Sequence, residues 1–170
     1  MGKILIVSDS HGLTNELEKL KETYKDEVDL MIHCGDSELF ADDKQVDKFL
    51  IVRGNCDYES KFPNDILETY EGLNIFITHG HRYSVKSSLM SLLYRAKELD
   101  AKIVCFGHSH IVGAEMNKGI LFLNPGSISL PRGRRERTYM ILDIQKTSLD
   151  LRVYDFDSGE LEELRQSFTL

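Results

Sequence analysis

Five short runs of continuous apolar residues constrain this chain more than any other feature. Ile4–Val7, Leu30–Ile32, Phe49–Val52, Ile75–Ile77 and Ile103–Phe106 are rich in Ile and Val, and each passes directly into a polar cluster. Runs this short and this uniformly apolar suit strands buried on both faces, the kind found in parallel sheets covered by helices. A sixth run, Ile120–Leu123, follows Ile111–Met116 across Asn117-Lys118-Gly119, a hairpin signal. Leu13, Leu17, Leu20 and Tyr24 recur at helical spacing, with Asn15 and Glu18 spaced as a capping box. Leu89, Leu92, Leu93, Ala96 and Leu99 mark a second amphipathic helix. Towards the end, Arg137–Ile144 and Leu149–Phe156 read as antiparallel strands joined near Lys146-Thr147-Ser148, followed by a polar tail. Strand–helix alternation followed by strands predicts a mixed α/β sandwich. A length of 170 residues predicts a single domain over 1–170.

The residues that follow the runs carry the chemistry. After the first comes Asp9-Ser10-His11, and after the second His33-Cys34-Gly35-Asp36. The third gives Gly54-Asn55-Cys56-Asp57, the fourth Thr78-His79-Gly80-His81, and the fifth Gly107-His108-Ser109-His110. Ligands of open α/β sheets bind beyond the carboxyl ends of the strands, so five strand ends deliver Asp, Asn and His to one rim. Alone, Gly-Asp and Gly-Asn-Cys-Asp are turn signals, and one Asp-x-His pair is an ordinary capping feature. Together they hold all six histidines of the chain, which turns do not explain. Imidazole, carboxylate and amide without a convincing thiolate favour Mn, Fe, Zn, Ni or Co over a cysteine-zinc site or a calcium cage. Seven ligand candidates exceed one tetrahedral ion. With one bridging carboxylate they serve two metals, and a pair roughly 3.5–4 Å apart clamps the attacking and leaving oxygens of an in-line displacement.

Composition removes several classes. A net charge of −7 leaves no generic basic face for phosphate backbones and argues against nucleic acid. The three cysteines, Cys34, Cys56 and Cys105, are an odd number without C-x-x-C spacing, which fits a reducing compartment. The first apolar run stops at Ser8-Asp9, too short for a signal-peptide core, and Gly2 lacks the Ser or Thr at position 6 that myristoylation expects. No stretch approaches a membrane span, so a cytoplasmic protein is expected.

In this order, Asp-x-His, Gly-Asp, Gly-Asn-x-Asp, His-Gly-His, Gly-His-Ser-His and Asn124-Pro125-Gly126-Ser127 resemble the calcineurin-like metallophosphoesterase superfamily, in particular its small single-domain phosphodiesterases. The resemblance covers Asp9 to Ser127 and implies two packed mixed β-sheets flanked by helices, a four-layer αββα sandwich. It implies one metal on Asp9, His11, Asp36 and His110, a second on Asp36, Asn55, His79 and His108, and Asp36 as the bridge. Mn²⁺ is the first expectation for both, with Ni²⁺, Co²⁺, Fe or Zn²⁺ as alternatives. The implied reaction is hydrolysis of a small phosphodiester by a metal-bridging hydroxide. Many members carry His where this chain has Cys56, and that His is thought to protonate the leaving oxygen. A thiol is a poorer donor; Asp57 is left without a histidine to orient, and His81 is the nearest substitute. The catalytic candidates are thus Asp36, Asn55, Cys56, Asp57 and His81.

Outside this set, His33 reads as a supporting rather than a ligating histidine. The Asn124–Ser127 turn is expected to abut the site and orient His79 or His108. Arg132, Arg134, Arg135 and Arg137 read first as a solvated loop, with phosphate recognition as the alternative. Competing functions are a nuclease or phosphomonoesterase at the same site, or a scaffold for partner proteins, as a eukaryotic sorting-complex subunit of this fold is. A homo-oligomer stays open.

Overall fold

The computed structural model describes residues Met1–Leu170. Strands β1 (Gly2–Val7), β2 (Leu30–His33) and β3 (Phe49–Ile51) run parallel, with helix α1 (Asn15–Tyr24) in the first crossover. On the far side of β1 the sheet turns antiparallel through β9 (Thr138–Ile144) and β10 (Ser148–Asp155). Two short strands, β11 (Gly159–Glu160) and β12 (Gln166–Thr169), both pair with β10 and complete seven strands. The second sheet has five strands in the order β4 (Asp65–Tyr70), β5 (Leu73–Thr78), β6 (Ile103–Cys105), β8 (Ile120–Asn124), β7 (Gly113–Asn117). Here β5, β6 and β8 are parallel and the two edge strands antiparallel, with helix α2 (Met90–Glu98) between β5 and β6.

Strand alternation explains the layers. Ile4 and Ile6 point between the sheets to meet Ile75, Ile77, Ile103, Leu121 and Leu123 in the central core. The alternate residues Leu5 and Val7 point outward and pack with Leu17, Leu20 and Tyr24 of α1. On the other sheet Phe76, Val104 and Phe122 point outward against Leu92, Leu93 and Ala96 of α2. Each parallel strand is therefore apolar on both faces, and the four layers are helix, sheet, sheet, helix. The Lys118-Gly119 turn that joins β7 to β8 has positive φ at both residues, 51° and 77°, the twist a two-residue hairpin needs.

Three local expectations change. Thr14, not Asn15, caps α1, and it makes no side-chain bond; its carbonyl already accepts from Glu18 N–H, so Asn15 lies inside the helix and no capping box forms. β7 starts at Gly113 rather than Ile111. The polar tail is not irregular: β11 and β12 add to the sheet edge, where Phe168 reaches the central core. β4 has no counterpart in the apolar pattern because an edge strand buries only part of one face.

Candidate metal centre

The carboxyl ends of β1, β2, β3, β5 and β6 all open onto one rim, and the loops there share an unusual backbone. Asp9, His11, Asp36, His108 and His110 have φ of 53°, 41°, 58°, 71° and 61°. Left-handed non-glycine residues cost free energy and cluster at sites where geometry outweighs it. Bonds between neighbouring loops hold these turns: Asp9 N–H donates to Gly35 O, His11 N–H to Asp36 O, and Gly107 N–H to His79 O.

Asp9 is fully buried at the centre. Its Oδ2 accepts from Ser8 Oγ and from His108 N–H, whereas Oδ1 is buried with no hydrogen-bond partner. Around Oδ1 stand His110 Nε2 at 3.2 Å, His79 Nε2 at 3.8 Å and His11 Nε2 at 3.8 Å. Burial alone would raise the Asp9 carboxyl, but His110 and His79 override it and hold the pKa below the usual value. The other nitrogens of those rings are tied down. His110 Nδ1 lies 2.7 Å from Leu130 O and His79 Nδ1 2.7 Å from Cys34 O, which makes each Nδ1 a donor and leaves Nε2 turned inward. Metal-binding histidines are fixed in this way. An orphaned buried carboxylate oxygen ringed by imidazole nitrogens fits a divalent cation.

Asp36 forms the second focus. Its Oδ2 is 3.2 Å from His79 Nε2 and 3.9 Å from His11 Nε2, and its Oδ1 accepts from Cys56 N–H. Burial opposes its charge, yet His79 and the Cys56 amide leave its pKa well below the carboxylate range. Asn55 Oδ1 is 3.0 Å from His79 Nε2. Three sets of potential ligand atoms each fall within 4.8 Å of one another: Asp9, His11 and His110; Asp9, Asp36 and His79; and His11, Asp36 and Cys56. Asp36 and Asp9 each belong to two. His108 belongs to none of them; its ring lies 5.1 Å from that of His79, and burial with His79 and Lys86 takes its pKa down to about 4.

The neighbours of these residues are spoken for. The Asp57 carboxylate accepts from the amides of Asp36, Gly54 and Glu38, stapling the β3 loop to the β2 loop. A Cβ on Gly54 would overlap Asp36 Oδ1, and one on Gly107 would overlap Ser8 Oγ, so close approach rather than turn geometry requires glycine there. His33 Nδ1 accepts from Gly35 N–H, and Nε2 bonds Ser10 Oγ at 2.8 Å; neither nitrogen is free for a metal. Ser127 Oγ donates to Asp9 O, and Asn124 Nδ2 bonds Gly107 O and Ser109 Oγ. That turn braces the Asp9 backbone and the Gly107–Ser109 loop and makes no hydrogen bond to the His79 or His108 ring. The left-handed turns and the triple-amide staple escape sequence reading, although the Asp, Asn and His at loop starts are residues that tolerate positive φ.

His81 and Cys56 lie beside the centre with less support. The His81 ring is 5.3 Å from that of His79 and 6.1 Å from that of His108, and its buried Nδ1 has no partner. Burial and the nearby Asp36 carboxylate push the Cys56 thiol up to about 11. The arginine cluster divides. Arg134 pairs with Glu136 and Glu163, and Arg137 with Asp157 and Glu16, whereas Arg132 N–H bonds His110 O and its side chain meets no acid.

Residues 2–147 match the family model described as the calcineurin-like phosphoesterase superfamily domain. A probable metallophosphoesterase of Bacillus subtilis, YsnB, is 46% identical over 167 residues, which span 98% of this chain and 99% of that protein. The crystal structure of a predicted phosphoesterase from Streptococcus pneumoniae superposes with a TM-score of 0.96 at 34% identity, covering 99% of this chain and 98% of the other. The phosphodiesterase YfcE of Escherichia coli is 28% identical over 84% of this chain and 88% of its own. No helix here is long and apolar enough to cross a membrane.

Proposed function

The chain belongs to the calcineurin-like phosphoesterase superfamily, and from that premise we propose that it is a phosphodiesterase working with two divalent metal ions. The buried, unpartnered Asp9 Oδ1 facing three imidazole nitrogens carries the reading. We assign Asp9, His11, Asp36 and His110 to one ion and Asp36, Asn55, His79 and His108 to the other, with Mn²⁺ as the expected metal. Asp36 as the shared ligand is supported by its Oδ2, which lies within 4 Å of both His79 Nε2 and His11 Nε2, one histidine from each proposed ion. Bound there, such ions lower the pKa of water and neutralise charge gathering on phosphoryl oxygens.

The chain's own residues supply positioning. Cys34 O and Leu130 O hold His79 and His110 in one tautomer, and Asp57 fixes the Asp36 loop. Asp57 is thus a positioning residue. What is missing is a strong proton donor for the departing oxygen. A thiol whose pKa is near 11 is a weak acid at neutral pH. Burial and His79 lower the pKa of His81, so that ring is uncharged there too. The site is built for attack more than for assisted departure, which suits good leaving groups. E. coli YfcE, named a phosphodiesterase, supports a diester as substrate. The three unpaired cysteines support a reducing, cytoplasmic setting.

Elemental analysis of protein reconstituted with Mn²⁺ tests the reading, together with turnover of bis(p-nitrophenyl) phosphate against p-nitrophenyl phosphate. Two ions per chain and a preference for the diester are expected. A plateau at one ion with full activity overturns the dimetal assignment, and a preference for the monoester overturns the diester.

A further inference from the structure

On the outer face of the five-stranded sheet, α2 covers Phe76 and Val104 but stops short of β7. Between the α2 approach and β7 lies a cleft of about 480 Å³. Phe106, Phe122, Val85 and Leu89 give it apolar walls, and Ser109, between the two histidines of its loop, also lines it. That volume falls within the roughly 300–1,000 Å³ of small-molecule sites. Two cations, Lys86 and Arg132, also line it, against one acid, Glu115. Neither cation has an ion-pair partner, unlike Arg134 and Arg137, in a chain whose net charge is −7. The Arg132 amide bonds His110 O, which ties that residue to the histidine loop of the site. Apolar walls, unpaired positive charge and a lining that includes Ser109 of the His108–His110 loop favour an aromatic group attached to an anionic phosphorus centre.

We propose that this cleft binds an aromatic ester group of the substrate while its phosphorus lies at the metal centre, with Lys86 and Arg132 facing the negative charge. The proposal rests on the phosphodiesterase reading above and narrows it to aryl-bearing or base-bearing diesters. Gly113 offers a clean way to close the cleft. It pairs with Asn124 in the β7–β8 ladder, both line the cleft, and a Cβ at Gly113 meets nothing within 4 Å. Its φ needs no glycine.

The test uses the full chain loaded with Zn²⁺ and two phosphonates that cannot be hydrolysed, naphthylmethylphosphonate and methylphosphonate, followed by amide NMR. The naphthyl probe should shift Gly113 and Glu115, and the methyl probe should not. Burying the rings should tighten binding roughly ten- to a hundredfold. Gly113→Leu should shrink that ratio, whereas the exposed Lys86→Gln should weaken both probes and leave the ratio unchanged. In turnover, the kcat/KM ratio of naphthyl p-nitrophenyl phosphate to methyl p-nitrophenyl phosphate should fall in Gly113→Leu through KM. Equal affinity for both probes, or no shift in the cleft, overturns the proposal even where diesters are hydrolysed. Cleft shifts that appear on raising protein concentration alone mean that a second copy of the chain occupies it, which also overturns the proposal. Cleft binding in a protein that turns over no diester leaves the cleft assignment standing and removes the phosphodiesterase reading.

Discussion

One half of the seven-stranded sheet runs parallel, through β1, β2 and β3, and hands the chain at its carboxyl ends to Asp9, Asp36 and Asn55. The other half runs antiparallel, through β9, β10, β11 and β12, and its polar side chains end in pairs such as Arg137–Asp157 and Arg165–Glu160. Parallel strands need crossovers, so their carboxyl ends all reach the same rim and their loops can be tied to one another. Antiparallel strands spend their ends on turns. Charge follows topology with one exception, Asp155 on β10, which is buried but accepts from the Arg137 and Asp157 amides and from Ser158 Oγ. At the rim Asp9 and Asp36 are buried and share histidines, whereas Asp157 and Glu162 are mostly exposed. Buried charge is costly unless fully partnered, and exposed pairs are worth little. The same change should therefore have very different consequences on the two halves.

Asp36→Asn should have the largest effect. It removes a negative charge from between His79 and His11. Metal retained after dialysis should fall for both ions, and diester turnover should drop by more than the roughly 10–100-fold typical of outer-sphere changes. One ion retained at full affinity would show that the carboxylate is not shared.

His33→Gln sharpens the contrast within the rim itself. His33 is wholly buried with both nitrogens bonded, so metal affinity should weaken only about 10–100-fold. It also predicts a pH signature. Burial holds its folded pKa at about 4, below the unfolded value of 6.5, so the unfolded chain binds the proton first as pH falls. The stability that neutral His33 protects is whole above pH 6.5 and is lost progressively towards pH 4, by about 3 kcal/mol at roughly 1.4 kcal/mol per unit. Urea unfolding of the metal-free protein across that range should show a shallower pH slope in His33→Gln than in the wild type. Parallel slopes would mean that His33 already binds a proton in the folded state.

On the antiparallel half, Arg134→Ala and Arg137→Ala should each cost about 1 kcal/mol or less, with metal content unchanged. Arg137 also lies 4.9 Å from the Phe156 ring centroid, so its loss should be the larger of the two. A drop in metal content in either variant would tie this half of the sheet to the rim and break the contrast.

The parallel half was also the half legible in the sequence. Ile4–Val7 or Ile75–Ile77 can be read because a strand buried on both faces has no polar alternation to blur it. Each polar block that ends such a run had only one rim to reach. β4, β11 and β12 lie at edges, where one partner and half a face suffice, so their composition resembles loops. The Asp57 staple was hidden for another reason. Gly-Asn-Cys-Asp shows an acid but not which amides it accepts, and two of the three come from a loop some twenty residues away. The arginine cluster was hidden because adjacent residues on a loop can face opposite ways, and only the fold separates Arg132 from Arg134.

The smallest effect is expected where the rim is least committed, at Cys56. Its amide serves Asp36 Oδ1, a contact alanine would keep, while its thiol is held near pKa 11 and carries a proton that it releases poorly. Cys56→Ala should leave metal content and turnover of a nitrophenyl diester within assay scatter, because nitrophenolate departs without protonation. An alkyl leaving group must gain a proton, and a positioned acid is worth typically about 10²–10⁴-fold. Rates measured against leaving-group pKa should therefore fall steeply in the wild type and identically in Cys56→Ala. Cys56→His should flatten the slope if the ring reaches the leaving oxygen, at the expense of none of the Asp57 bonds, since all three go to other amides. A flat wild-type series would point to His81, whose Nδ1 is unpartnered, as the acid in use. A loss of metal in Cys56→Ala would instead make the thiol a ligand, as its place beside His11 and Asp36 permits, and would move the centre towards softer metals than Mn²⁺.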